Sequence, residues 1–213
     1  MIDVDVNGVA YLPLPNGFDY GKESLKPKEN FRPDGSYRLD FPGVRPMVAI
    51  GGYLKTGGPA SEEDACKLLG THSSKNKNSG SYVVGITLDG KRVRLRKEIH
   101  PNYTGTLKKE VLNLGDLRNR WVGIYTTKIN MGDKVGIDTY FDNDPFDEAG
   151  KPKNNWNLIF SVVDNGKLAK KPYAKVWLKP SIPTKGQNTL RVDEQDKKSF
   201  SYKYVFCREI VAI

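Results

Sequence analysis

The sequence predicts an all-β protein, a two-sheet antiparallel sandwich, and three observations carry that prediction. Helical periodicity is almost missing: its best candidate is one turn at 61–65, where Ser61 is placed to cap Glu62-Glu63-Asp64-Ala65. Short alternating or β-branched runs recur between turn residues, the spacing of sandwich strands. Asp89-Gly90 separates two such runs. It is a strong two-residue hairpin signal, since both turn positions need positive φ.

Taken in order, residues 1–35 are rich in Pro, Gly and Lys and read as an extended N-terminal arm laid over the body or partly disordered. Residues 36–213 read as one β domain, because sandwiches of this length run undivided. Strands are expected at 36–41, 47–54, 66–73, 81–88, 91–99, 121–129, 134–142, 156–163, 173–178, 188–193 and 200–211. Met131-Gly132-Asp133 makes a second hairpin. In 134–142, Val135, Ile137, Thr139 and Phe141 face the core and leave Lys134, Asp138, Tyr140 and Asp142 on the outer face. In 121–129, Val122 and Ile124 oppose Trp121, Tyr125 and Thr127. The last strand offers Phe200, Tyr202, Tyr204 and Phe206 to one side, mostly as core.

Strand 91–99 is the most informative. Successive strand side chains point to opposite faces, so Arg92, Arg94, Arg96, Glu98 and His100 share one face. Val93, Leu95 and Ile99 share the other, with Lys97 as the exception. Pro101 has no ladder donor and ends the strand, which leaves Asn102 and Tyr103 just beyond it. A polar face this cationic suits an acidic ligand. The whole chain agrees, with 34 Lys and Arg against 25 Asp and Glu and a net charge of +9. Such a surface concentrates anions, although a merely Lys-rich solvated surface gives the same balance.

Composition excludes several classes. Hydrophobic residues make up 38% of the 213, which is enough for a core and argues against disorder throughout. No run approaches the roughly 18 apolar residues of a membrane helix. The start, Met-Ile-Asp-Val-Asp-Val, has no signal-peptide pattern, so an extracellular or cell-surface location implies a leader not present in this chain. Cys66 and Cys207 are too few for a disulfide scaffold and lack zinc spacing; pairing and free buried thiols both stay open. Phosphate-loop and dinucleotide motifs are missing.

Three segments together resemble the concanavalin A-like (laminin-G or glucanase-like) β-jelly-roll domains of carbohydrate-active and cell-surface proteins. They are the Asp89-Gly90 hairpin running into Lys97-Glu98-Ile99-His100-Pro101-Asn102-Tyr103, then Arg120-Trp121-Val122-Gly123-Ile124, and the closing Phe206-Cys207-Arg208-Glu209-Ile210. The stretch Asp138 to Trp156 is similar to that family's strand, Asp/Asn-rich loop and Asn-Asn-Trp step. The resemblance covers about 36–213 and implies a jelly roll. It implies glycan binding, hydrolysis or lyase chemistry without choosing among them.

Hydrolysis needs paired carboxylates across the scissile bond. Asp138 and Asp142 share a strand face but lie about 13 Å apart along it, too far for either geometry. Lyase chemistry needs a cation to neutralise a uronate carboxylate, a base to take the adjacent proton and an acid for the leaving oxygen. His72, His100 and Tyr103 are the candidates for proton transfer. Tyr82, Arg92, Arg94, Arg96, Glu98, Lys134 and Tyr140 are the candidates for substrate binding. The arginine-rich and Gln-Ile-His signatures of alginate lyases are missing, so a non-catalytic glycan-binding or structural module stands as the alternative. Either way the expected partner is an acidic polysaccharide. Nucleic acid is disfavoured, because no aromatic platform interleaves the arginines. Asp142, Asn143, Asp144 and Asp147 concentrate the oxygen ligands that calcium takes and form the candidate site for a structural Ca2+. Asn102-Tyr103-Thr104 is a short glycosylation sequon.

Overall fold

The computed structural model describes residues 3–4, 8, 10–31, 33, 37–43, 47–57, 66–69, 80–99, 102–165, 188–192 and 200–213. Among these residues there are strands and no helix. One sheet runs in the order β10 (Asn102–Val111), β9 (Arg92–Ile99), β8 (Gly80–Ile86), β7 (Cys66–Leu69), β14 (Asn188–Val192), β5 (Tyr37–Phe41), β4 (Lys28–Phe31). The other runs β13 (Asn157–Asp164), β12 (Val135–Asp142), β11 (Val122–Asn130), β6 (Val48–Thr56), β15 (Phe200–Ala212), β3 (Phe18–Ser24). A two-stranded ribbon joins β1 (Asp3–Val4) to β2 (Ala10–Tyr11). The all-β sandwich is as the sequence predicts. The expected turn at 61–65 and strand at 173–178 lie outside the described residues.

Apolar faces meet between the sheets, with Val84, Ile86 and Leu95 from one and Ile50, Ile124, Ile137 and Phe141 from the other. The expected alternation of 134–142 holds, with β12 buried at every second residue from Val135. In β11, by contrast, Val122 through Ile129 are all buried. The reason is a second apolar cluster on the far face of the six-stranded sheet. There Tyr11, Tyr125, Ile129, Phe206 and Ile210 pack beneath Leu12, Leu14, Phe18 and Tyr20. Residues 11–20 therefore lie over the body, and β3 and β4 go further by pairing as edge strands with β15 and β5.

Three local readings need correction. β9 ends at Ile99, but residues 102–111, not expected as a strand, form one antiparallel to β9 and extend the sheet. The loop after β8 spans 87–91, and of Asp89 and Gly90 only Gly90 has positive φ, 67°. Asp89 instead accepts hydrogen bonds from the Thr87 hydroxyl (2.6 Å) and the Lys91 amide (3.0 Å), which builds a longer turn. The closing aromatic row is split by a β-bulge between Lys203 and Phe206, where Tyr204 takes φ 50°. Tyr202 then faces the inter-sheet core while Tyr204 and Phe206 face the second cluster.

Gly90 is fixed by more than its φ, because a Cβ there would sit 2.0 Å from the Gly115 carbonyl oxygen. Gly90→Ala is expected to cost about 2 kcal/mol through backbone strain and that clash. Thermal unfolding reads it, and an unchanged Tm would show that the 87–91 turn relaxes freely.

Candidate functional site

Strand pairing extends the cationic face of β9 across the whole sheet. Following paired residues from β10 to β4 gives Lys109, Arg94, Gly85, Lys67, Arg191, Arg38 and Asn30 in one cross-strand row. Five of those seven positions are cationic. At about 4.8 Å per strand the row is about 29 Å long. Arg96 lies in the next row, opposite Thr106 and Val83, and Arg92 opposes Val111. The sequence reading located only the β9 share of this array. Arg38 lies 54 residues before Arg92 and Arg191 lies 92 residues after Ile99, so only register could reveal them.

The arginines are half-buried, and the Nε atoms of Arg38, Arg96 and Arg191 are shielded from solvent. Each of Arg38, Arg92, Arg94, Arg96 and Arg191 also makes contacts within the chain, so the row is an ordered layer. The Asp40 carboxylate sits on this face, where it is buried and accepts from the Thr189 hydroxyl at 2.7 Å and from Asn30 at 3.5 Å.

The other predicted site residues scatter. Tyr82 does not join the arginines. It pairs with Lys97 on the inward face, is 4% exposed, and its hydroxyl donates to Asp164 at 2.6 Å. Lys97, the apolar-face exception, donates to the same Asp164 oxygen at 2.7 Å and is 1% exposed. This buried ion pair joins β9 of one sheet to the end of β13 of the other. Tyr140 and Lys134 belong to the six-stranded sheet. Tyr140 packs on Tyr125 with centroids 6.0 Å apart, and burial pushes its hydroxyl pKa up. Lys134 is exposed beside the hairpin, where its carbonyl accepts the Met131 amide. Neither lies on the arginine face. His72 and His100 fall outside the described residues, and for Tyr103 and Glu98 only the strand positions are described.

The acidic loop does not fit calcium. Asp142 is fully buried and its two oxygens accept the amides of Asp144 and Asn155, each at 3.0 Å. Burial raises its pKa, and the two amide hydrogen bonds oppose that shift. Asp144 pairs with Lys153 at 2.6 Å, Asp147 accepts the Lys151 amide at 2.8 Å, and Asn143 accepts from Arg120 at 3.1 Å. These four side chains close turns and hold their neighbours in place. The neighbouring Asn154, with φ 57°, accepts from the Ala10 amide and the Tyr53 hydroxyl and donates to the Gly8 carbonyl, which ties the N-terminal ribbon to the loop.

Cys207 is fully buried. Nearby in the inter-sheet core stands Lys128, 4% exposed, whose Nζ has no hydrogen-bond partner among the described residues. Burial lowers its pKa to about 8, against the attraction of Cys207.

The chain has the concanavalin A-like jelly-roll fold. The carbohydrate-binding module CBM66 of Bacillus subtilis superposes on it with a TM-score of 0.51 at 10% identity, covering 91% of this chain and 96% of the module. Sheep galectin-11 aligns with a TM-score of 0.41 at 7% identity over 80% of this chain and 96% of its own. No protein-family model matches the sequence, and no curated protein is detectably similar to it. No helix among the described residues is long and apolar enough to cross a membrane.

Proposed function

We propose that this protein is a non-catalytic glycan-binding module, displayed outside the cell or at its surface, that takes an acidic polysaccharide on the outer face of the seven-stranded sheet. The cross-strand row of cationic positions carries this reading. A flat, extended array suits a polymer better than a small molecule, and guanidinium forks match carboxylate or sulfate groups two bonds at a time. The jelly-roll fold is compatible with carbohydrate binding and does not by itself choose it. The burial of Tyr82, on the wrong face for the arginines, removes one of the groups a lyase centre was expected to use.

The test is retention on immobilised polyuronate and on a sulfated glycan, followed across a salt gradient. Binding is expected to fall steeply with salt, as exposed charges are screened. Arg94→Ser and Arg191→Ser are each expected to weaken it about tenfold, the loss of one charge-assisted contact. Retention unchanged in the double variant would end the proposal. A rise in ultraviolet absorbance during incubation would reinstate cleavage by elimination.

A further inference from the structure

We infer that a groove at the opposite edge of the sandwich is a second binding site, for a neutral sugar ring. It lies where the edge strand β4 and its neighbour β5 face β15 across the gap between the sheets. Its volume is about 540 Å3, within the range of small-molecule sites. Glu29, Tyr37, Leu39, Ser201, Tyr202 and Val205 form its walls.

The chemistry of these walls is mixed in the way a sugar requires. Tyr37 and Tyr202 stack with centroids 6.0 Å apart and planes 26° apart, and with Leu39 and Val205 they offer an apolar wall to the C–H face of a pyranose or furanose ring. Glu29 is paired with Leu39 in register, so an edge-strand carboxylate points into the gap between the sheets. An inward charge protects an edge from pairing. Here it also places an acceptor in the groove, where it takes the Tyr37 hydroxyl hydrogen bond that, after burial, raises that tyrosine's pKa. Glu29 is itself exposed, so its carboxylate also meets solvent, from which a sugar hydroxyl would donate to it. The same carboxylate repels a uronate, so this groove and the arginine face select opposite classes of saccharide. The inference extends the carbohydrate reading but depends on none of its residues.

Amide chemical shifts test it, with glucose, galactose, mannose, fructose and N-acetylglucosamine as probes, each added to about 20 mM so that a millimolar Kd saturates. At least one sugar is expected to move the amides of Glu29, Leu39 and Ser201 saturably. Pro27, an exposed loop residue, also lines the groove, and Pro27→Trp is expected to fill it and abolish those shifts without lowering Tm. Glu29→Gln is expected to weaken binding several-fold by removing a charge-assisted acceptor. Absence of saturable shifts with all five sugars, or shifts that persist in Pro27→Trp, overturns the inference. Salt-sensitive retention on acidic glycans is a separate readout, so either site can fail while the other stands.

Discussion

Replacing Lys97 with methionine is expected to destabilise the protein by about 3–5 kcal/mol, the usual cost of removing one partner from a buried ion pair. The Asp164 carboxylate, 1% exposed, would lose the Lys97 ammonium, keep the Tyr82 hydroxyl as a donor, and hold a charge that burial makes costly. For a chain of this size that loss corresponds to a Tm lower by roughly 10 °C or more. The damage is expected to be local to a seam, because Lys97 and Asp164 connect one sheet to the other at the β9–β13 side. Removing both charges tests the cause. Lys97→Met combined with Asp164→Leu is expected to recover most of the loss, since a well-packed apolar pair often equals a buried salt bridge. Denaturant unfolding of the two single variants and the double measures the coupling. A single-variant cost below about 1 kcal/mol, or a double variant worse than the sum, would show that the pair is not the fastening it resembles.

The same strand shows what the sequence made legible. Alternation placed Arg92, Arg94 and Arg96 on one face and Val93 and Leu95 on the other, because a period of two is local information. It also marked Lys97 as the residue that broke the pattern, but its partner lies 67 residues away and only the sheet pairing finds it. Tyr82 was placed on the wrong face since Tyr-Val-Val-Gly-Ile is apolar throughout and carries no parity signal. In β10, the polar run Asn-Tyr-Thr-Gly-Thr-Leu-Lys-Lys-Glu-Val has edge-strand chemistry, with charge where an exposed edge needs it. That composition reads as loop until a partner strand is seen. The acidic loop at 142–148 misled for a related reason: oxygen density marks a turn as readily as a cation site. The groove was invisible in sequence, because it joins Glu29 of the supposed arm to Tyr202 near the far end of the chain.

Lys128 gives the second large effect, and here the variant is expected to be more stable. Its folded pKa of about 8 lies below the ordinary 10.5. Below pH 8 both states carry the proton, and the folded protein bears the full cost of a desolvated ammonium with no hydrogen-bond partner among the described residues. Between pH 8 and 10.5 the unfolded chain binds more protons than the folded one, so stability rises with pH across that window. Above pH 10 the buried tyrosines oppose it. Burial raises the pKa of Tyr20 to about 12 and that of Tyr125 further, so the folded state retains protons that the unfolded chain releases, and stability falls again. The adjoining cavity, lined by Tyr82, Thr126 and Ile137, has a volume of about 20 Å3, room for about one water. Lys128→Met keeps the volume and removes the charge. It is expected to gain about 3 kcal/mol at pH 7, from 1.36 kcal/mol per unit of pKa shift, and less than half of that at pH 9.5. Paired thermal melts at the two pH values decide the matter. A variant less stable than the parent at pH 7, or a gain that does not shrink at pH 9.5, would mean that Lys128 holds its proton in comfort inside the sandwich.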